Sequence, residues 1–395
     1  MTPQHKIAVL GGCGHVGLPL AVTFAAKDCD VTIVDIDASA VARTNEGRVA
    51  FMERGTEELL RKYIGKNLRA TASAEGLRQA ETVVCVVGTP IDEHLNPQVG
   101  KLLQAMTQIK PHLRAGQLFV LRSTVYPGAT AIIDKWLRDN VPGVDVAFCP
   151  ERVAQGYAVE EIQNLPQIVA GTTPRATARA RELFGRVASE IIELSPVEAE
   201  LGKLFCNAWR YVTFAIANQF YSLCAANGID YATVHAGITR GYPRMRGLPT
   251  AGLAAGPCLF KDTMQLAAYY NNDFSIGQSA MLVNEGFPRV LVNQLKPLGL
   301  ANKTVGVLGM AFKGDDDDTR ESLAFKVKKL LEFECKKVLC TDEHARGSWY
   351  VPLEQVLAES DALIIASPHS SYRKLNPKQP TLDPWNLLGR GGLLK

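Results

Sequence analysis

Along the first half of the chain, apolar and polar positions alternate between two patterns. Lys6–Leu10, Asp30–Val34, Thr82–Val87, Leu118–Leu121 and Asp145–Phe148 are short, nearly unbroken hydrophobic runs, as expected of parallel strands buried on both faces. Stretches with helical spacing lie between them, for example Val16–Ala26 and Thr56–Ile64. This alternation predicts a doubly wound α/β domain. The texture changes around Ser195–Pro196. From Val197 to about Leu291 the pattern is helical, with Val197–Ala226 reading as one long helix and a Gly/Pro-rich loop at Gly241–Pro257. Strand patterns return at Lys303–Gly309, Lys336–Asp342 and Ala362–Ala366, with helices expected at Leu323–Phe333 and Leu353–Glu359. The expected organisation is α/β over 1–196, helical over 197–298 and a smaller α/β domain over 299–395.

Composition narrows the functional classes. The 395 residues exceed one ordinary core, and 47% hydrophobic with 21% charged residues is a globular profile. A formal charge of +3 with scattered basic residues gives no electrostatic case for nucleic acid. Met1–His5 is polar and leads straight into a strand, so no signal peptide is expected. No run reaches the ~18 apolar residues of a membrane helix, and Tyr211–Ala226 is interrupted by Asn218, Gln219 and Ser222. That segment still carries more apolar surface than a small helical domain can bury, which predicts a homodimer built on it. Nine cysteines, an odd number without a C-x-x-C pair, argue against a disulfide framework or zinc site and fit a cytoplasmic protein. No metal site is expected.

The strand Lys6–Leu10 runs directly into Gly12-Cys13-Gly14-His15-Val16-Gly17 and then a helix. In this context G-x-G-x-x-G is a dinucleotide-binding turn. Gly12 permits the turn, Gly14 admits the pyrophosphate, Gly17 lets helix and strand pack, and the helix N-terminus supplies free N–H groups. Asp35 ends the next strand, where a carboxylate holds ribose hydroxyls and repels a 2′-phosphate, favouring NAD over NADP. The fold class is therefore α/β, with two Rossmann-like doubly wound domains joined by a central helical domain with a long helix.

Further motifs follow in order: Gly88-Thr89-Pro90, Ser123-Thr124-Val125-Tyr126-Pro127-Gly128, Pro150-Glu151-Arg152, and Glu198-Ala199-Glu200 with Lys203 and Asn207. Then come Gly256-Pro257-Cys258-Leu259-Phe260-Lys261-Asp262 and Ala311-Phe312-Lys313 with Asp318, Arg320 and Ser322. Each is short, but their order and spacing resemble the UDP-glucose/GDP-mannose dehydrogenase family across nearly the whole chain. The resemblance implies oxidation of the C6 primary alcohol of a nucleotide-activated hexose to a uronic acid, consuming two NAD. It implies Cys258 as nucleophile, passing from a thiohemiacetal to a thioester that water cleaves. Lys203 and Asn207, four apart on one helix face, are implied to stabilise oxyanions and hold the sugar. Glu151 is implied as the base for thioester hydrolysis, with Thr124 beside water or nicotinamide. Asp262 is implied as a second carboxylate that orders water and moves protons with Lys203. Thr89, Pro90 and Arg320 are implied to bind cofactor, and Arg152, Arg244, Gly256 and Lys313 to bind substrate.

The sequence departs from the family pattern in places. Leu253-Ala254-Ala255 precedes Gly256 where many relatives carry glycines, and Gln155 and Gln219 stand where glutamates are usual. Two cues bear on the sugar. Pro150-Glu151-Arg152 resembles members acting on N-acetylhexosamine nucleotides, whereas Lys261-Asp262-Thr263 resembles those acting on glucose or mannose nucleotides. Lys261 adjoins the nucleophile, so UDP-glucose or dTDP-glucose is expected, with a UDP-N-acetylhexosamine of the mannosamine type or GDP-mannose as alternatives. Two other readings compete: a two-electron β-hydroxyacid dehydrogenase, which needs no Cys258, and a catalytically silent NAD or sugar-nucleotide sensor.

Overall fold

The computed structural model describes residues 5–88, 92, 98–254 and 256–395. The chain forms two compact units, Met1–Cys206 and Asn207–Lys395.

The first unit is built on an eight-stranded sheet of β1 (Lys6–Leu10), β2 (Asp30–Val34), β3 (Leu68–Thr71), β4 (Thr82–Cys85), β5 (Leu118–Leu121), β6 (Asp145–Phe148), β7 (Gln167–Gly171) and β8 (Ile191–Glu193). The order is β3-β2-β1-β4-β5-β6-β7-β8. Pairing is parallel except between β6 and β7, as in the register Val9↔Ile33 on one side of β1 and Val9↔Val84 on the other. The helices are α1 (Gly17–Ala25), α2 (Ala38–Asn45), α3 (Thr56–Tyr63), α4 (Val99–Ile109), α5 (Ala129–Asn140), α6 (Ala158–Asn164) and α7 (Pro174–Phe184). Period-two alternation explains the continuous hydrophobicity of the strands. Val9, Ile33, Val84 and Val120 pack on one face with Leu20 and Phe24 of α1, while Leu10, Cys85, Phe119 and Phe148 pack on the other with Met106 of α4 and Ile133 of α5.

The helix α8 (Pro196–Ala226) is continuous over 31 residues, and the boundary between the units falls within it. The second unit continues with α9 (Tyr231–Thr239), α10 (Leu259–Tyr269) and α11 (Ser275–Leu295). A four-stranded parallel sheet follows, of β9 (Thr304–Leu308), β10 (Lys337–Thr341), β11 (Ala362–Ile365) and β12 (Thr381–Leu382), ordered β10-β9-β11-β12. It is flanked by α12 (Ala324–Glu334) and α13 (Leu353–Glu359). The helical segment and this sheet share one core: Tyr221 of α8 and Phe287 and Leu291 of α11 belong to the same buried cluster as Val305, Val307 and Ile364. That shared core is why residues 207–298 and 299–395 lie in a single unit.

Both sheets are α/β and the long helix is central, as the hydrophobic pattern predicts. The expected strand at Thr82–Val87 ends at Cys85, because Val86 and Val87 already belong to the turn leaving the sheet. No disulfide joins any of the cysteines among the described residues. Among the described residues no helix is long and apolar enough to cross a membrane.

Candidate functional site

In the first unit the functional side chains stand at the carboxyl edge of the sheet, where α/β proteins bind ligands. The turn after β1 is a nucleotide cradle. A Cβ on Gly17 would lie 2.4 Å from the Cα of Gly12, and one on Gly12 would lie 2.8 Å from the Val9 carbonyl oxygen. Both positions therefore exclude any side chain. A Cβ on Gly14 would meet nothing within 4 Å, which leaves its backbone open to a pyrophosphate. The left-handed residue of the turn is Gly11, at φ +77°, not Gly12; Gly12 is required by close packing instead. Val16 is the N-cap of α1 and offers no side-chain hydrogen bond, so the leading N–H groups of the helix have no side-chain acceptor. His15 stacks on Phe51 with ring centroids 4.1 Å apart. Asp35 accepts from the Cys13 amide at 3.0 Å and from the Asp37 amide at 3.1 Å, which fixes its carboxylate beside the turn with lone pairs to spare. These features fit the adenosine and pyrophosphate portions of NAD. Thr89 and Pro90, expected to bind cofactor, lie outside the described residues.

Two strands further along the sheet, Thr124 is half-buried just beyond β5. The turn that follows it is held by Glu200 of α8, a buried carboxylate that accepts from the amides of Gly128 and Thr130 and from the Thr130 hydroxyl. Glu151 follows β6. One of its carboxylate oxygens accepts from the amides of Arg152 and Val153, and the other pairs with the guanidinium of Arg122, which is 1% exposed. Arg152, expected to bind substrate, donates to the Pro166 carbonyl. The remainder of this loop is pinned by Glu161, which accepts from the Ala154 amide, and Glu53, which accepts from those of Gly156 and Ala158. A shallow surface depression opens here, lined by Glu151, Arg152, Glu161, Pro166 and Gln167 among others.

In the second unit Cys258 is exposed and occupies the N-cap of α10, where the helix dipole stabilises a thiolate. The loop before it is fixed by two close approaches. Gly256 has φ +111°, and a Cβ there would lie 2.7 Å from the Phe312 ring. A Cβ on Gly252 would penetrate Trp385. The expected substrate residue Gly256 is thus required by backbone conformation. Ala255 lies outside the described residues. One turn after Cys258, Asp262 is fully buried, accepting from Asn207 Nδ2 at 2.5 Å and pairing with Lys261 Nζ at 2.7 Å. Asn207 and Asp262, read from distant motifs, are thereby in direct contact. Lys203 lies one turn before Asn207 on α8, half-buried and with no ion-pair partner among the described residues.

Farther along this unit, Lys313 pairs with buried Asp316 at 3.2 Å, and exposed Arg320 is forked onto Asp318. Arg244 is exposed, with its guanidinium 5.8 Å from the Tyr242 ring. Asp315, His344 and His369 offer ligand atoms within 4.8 Å of one another. However, His369 Nδ1 accepts from the Asp315 amide, so its proton is on Nε2 and faces Asp342 at 3.0 Å. With both nitrogens engaged, the cluster is a hydrogen-bonded support and not a cation site. Sequence reasoning missed Arg122, Gln167 and the Asp342–His369 pair. The one available signal was an arginine closing the apolar strand Leu118–Leu121.

Comparison with known proteins gives concordant matches. Residues 5–188 match the NAD binding domain of the UDP-glucose/GDP-mannose dehydrogenase family, residues 197–286 its central domain and residues 306–388 its UDP binding domain. The chain is 31% identical over 387 residues to a UDP-N-acetyl-D-mannosamine dehydrogenase of Pyrococcus horikoshii, covering 94% of this chain and 91% of that protein. The solved structure of the UDP-D-ManNAc dehydrogenase from that organism gives a TM-score of 0.90 at 27% identity, covering 97% of this chain and 96% of the other. A UDP-glucose dehydrogenase from the archaeon Pyrobaculum islandicum gives a TM-score of 0.89 at 28% identity, covering 96% of this chain and 94% of the other.

Proposed function

The chain belongs to the UDP-glucose/GDP-mannose dehydrogenase family, and from that premise we propose that it is an NAD-dependent 6-dehydrogenase of a UDP-N-acetylhexosamine of the mannosamine type. The observation that carries the choice of sugar is the near-full-length similarity to a UDP-N-acetyl-D-mannosamine dehydrogenase. It favours the acetamido alternative over the glucose nucleotide expected from Lys261. A structural reason accompanies it: Lys261 Nζ is held by Asp262 at 2.7 Å, so the residue behind the glucose expectation is already engaged within the protein. A glucose nucleotide stays as the second reading because the Pyrobaculum enzyme is similar over 96% of the chain.

NAD supplies the hydride acceptor, twice per sugar. The Gly12–Gly17 turn cradles its pyrophosphate and Asp35 its ribose hydroxyls. Cys258 Sγ attacks the carbon of the C6 aldehyde to give a thiohemiacetal. Loss of the second hydride and the hydroxyl proton leaves a thioester on the same sulfur. Lys203 and Asn207 stabilise the oxygen of these adducts, and Asp262 fixes the Asn207 amide so that its second N–H is directed. Glu151 takes a proton from water as that water attacks the thioester carbonyl, the C–S bond breaks, and Cys258 leaves as thiolate. Thr124 assists at the nicotinamide or the water, and Arg320 contacts cofactor. Lys313 pairs with the diphosphate, and Arg152 and Arg244 contribute to substrate binding. The long helix α8 supports a homodimer.

The test is NADH release across UDP-N-acetylmannosamine, UDP-N-acetylglucosamine, UDP-glucose and GDP-mannose. UDP-N-acetylmannosamine is expected to give a kcat/KM at least ~10-fold above the others, a difference worth about 1.4 kcal/mol. Faster turnover of UDP-glucose would establish the second reading instead.

A further inference from the structure

Arg122 is a buried guanidinium for which neither the family motifs nor the chemistry above has a use. It is 1% exposed at the end of β5, directly before Ser123 and Thr124. Nη1 donates to the Cys149 carbonyl at 3.1 Å and to Gln167 Oε1 at 2.6 Å, and Nη2 pairs with the Glu151 carboxylate. The guanidinium carbon lies 5.0 Å from the centroid of the Phe184 ring. Gln167 completes the clamp by donating to the Pro150 carbonyl at 3.2 Å, on the residue before Glu151. The Glu151 amide in turn donates to the Arg122 carbonyl at 3.3 Å.

This arrangement is poorly explained as a stabilising device. Nε of Arg122 is buried and has no acceptor among the described residues, an expensive omission. A buried ion pair is also rarely more stable than an apolar replacement of similar volume. Its geometric consequence is specific. Arginine stays charged and presents a planar fork; here Nη1 is anchored on the Cys149 carbonyl and Gln167, so the single Nη2 contact fixes the position of one Glu151 oxygen. The Arg152 and Val153 amides hold the other oxygen of Glu151. Together these contacts leave the carboxylate one orientation: the two amides fill the lone pairs of Oε1, while Oε2 keeps one for water.

We propose that Arg122 is a positioning residue that aims the Glu151 carboxylate at the hydrolytic water, with Gln167 as its brace. The proposal rests on the assignment of Glu151 as the base for thioester hydrolysis. In that step the water oxygen bonds to the acyl carbon, its proton passes to Glu151, and the C–S bond breaks with its electrons going to Cys258 Sγ. Misplacing a base by about 1 Å costs on the order of 100-fold in rate, so the effect of Arg122 falls on hydrolysis and not on the hydride transfers.

The experiment uses the full-length protein with NAD and its best sugar nucleotide, quenched in acid and analysed for a sugar-nucleotide adduct on Cys258. Glu151→Gln is expected to accumulate the thioester. Arg122→Lys keeps the charge but loses the fork. It is expected to accumulate the same adduct, lower kcat roughly 10- to 100-fold, lower KM in parallel so that kcat/KM stays within about twofold, and add nothing in the Glu151→Gln background. Gln167→Leu, which keeps the arginine, is expected to give a milder form of the same signature should Arg122→Lys fold poorly. If Glu151→Gln accumulates adduct while neither Arg122→Lys nor Gln167→Leu does, or if the two losses multiply in the double variant, the positioning role is overturned. If Glu151→Gln turns over normally without adduct, the Glu151 assignment falls, and the proposal with it.

Discussion

Asp342 closes β10 at the position in the second sheet that Asp35 holds in the first. It accepts from the amides of Met310, Ala311, His344 and Ala345 and from His369 Nε2, with both side chains of the acid–histidine pair fully buried. Burial by itself would raise its pKa. The hydrogen bonds from His369 and from the Ala345 and Met310 amides outweigh burial and hold the carboxyl well below the usual range. Because the folded-state pKa lies below the unfolded value of about 3.9, this contribution to stability is complete above that value. It is lost as pH falls through the folded pKa. Asp342→Asn is therefore expected to lower the stability of the second unit by about 3 kcal/mol at pH 7 and to flatten its decline below about pH 4. Urea titrations at several pH values check both, and a variant that kept the wild-type acid decline would show that other carboxylates dominate it. Asp35 was legible because it follows a glycine-rich turn and a strand. Asp342 was not, because its partners are backbone amides and a histidine 27 positions away, which no local motif marks.

At the scale of elements, α8 carries an exposed apolar face. Phe205, Trp209, Ile216, Phe220 and Leu223 recur at intervals of three, four or seven, so they line one face of the helix, and all are exposed, Trp209 at 69% and Leu223 at 56%. An apolar stripe of this length on a helix is the expected place for a subunit contact. Two-fold pairing across the stripe is the expected arrangement, since an isologous interface lets one self-complementary face serve both copies. Trp209→Glu combined with Leu223→Glu is expected to convert a dimer to a monomer in sedimentation velocity, and an unchanged sedimentation coefficient would remove α8 from the interface. The element itself was legible from the apolar spacing and the N-terminal Ser195-Pro196. The strands β3, β7 and β8 were not. Leu68–Thr71 is short and alternates polar with apolar residues, and Ile191–Glu193 is a half-exposed edge strand. Gln167–Gly171 joins the sheet antiparallel to β6, a reversal that the surrounding strand–helix rhythm gives no reason to expect. Gly12 is a smaller case of the same kind: it was expected to permit the tight turn, whereas the positive φ belongs to Gly11 and close packing against Val9 and Gly17 is what excludes a side chain at Gly12.

For the molecule as a whole, the four-electron reading and its two-electron competitor differ in what they require of the chain. One oxidation of an alcohol needs a cofactor cradle and a proton acceptor. A second oxidation at the same carbon needs a group that adds to the aldehyde and departs after the hydride has left, and thiol chemistry does both because a thioester hydrolyses readily. Of the nine cysteines, Cys13, Cys29, Cys85, Cys149 and Cys340 are buried, and burial pushes the Cys149 thiol up to about 12, which makes it inert at neutral pH. Cys258 differs from those five in standing exposed at a helix N-terminus, one turn from a buried carboxylate. The expected stoichiometry is therefore two NADH per sugar nucleotide, with no aldehyde trapped by hydroxylamine or semicarbazide. Cys258→Ala is expected to reduce steady-state NADH production by at least ~1,000-fold while leaving NAD binding unchanged, because the Gly12–Gly17 turn and Asp35 belong to the other compact unit. One NADH per sugar from the intact protein, or full activity in Cys258→Ala, would place the chain with the two-electron dehydrogenases, and Glu151 and Arg122 would then have no thioester to serve.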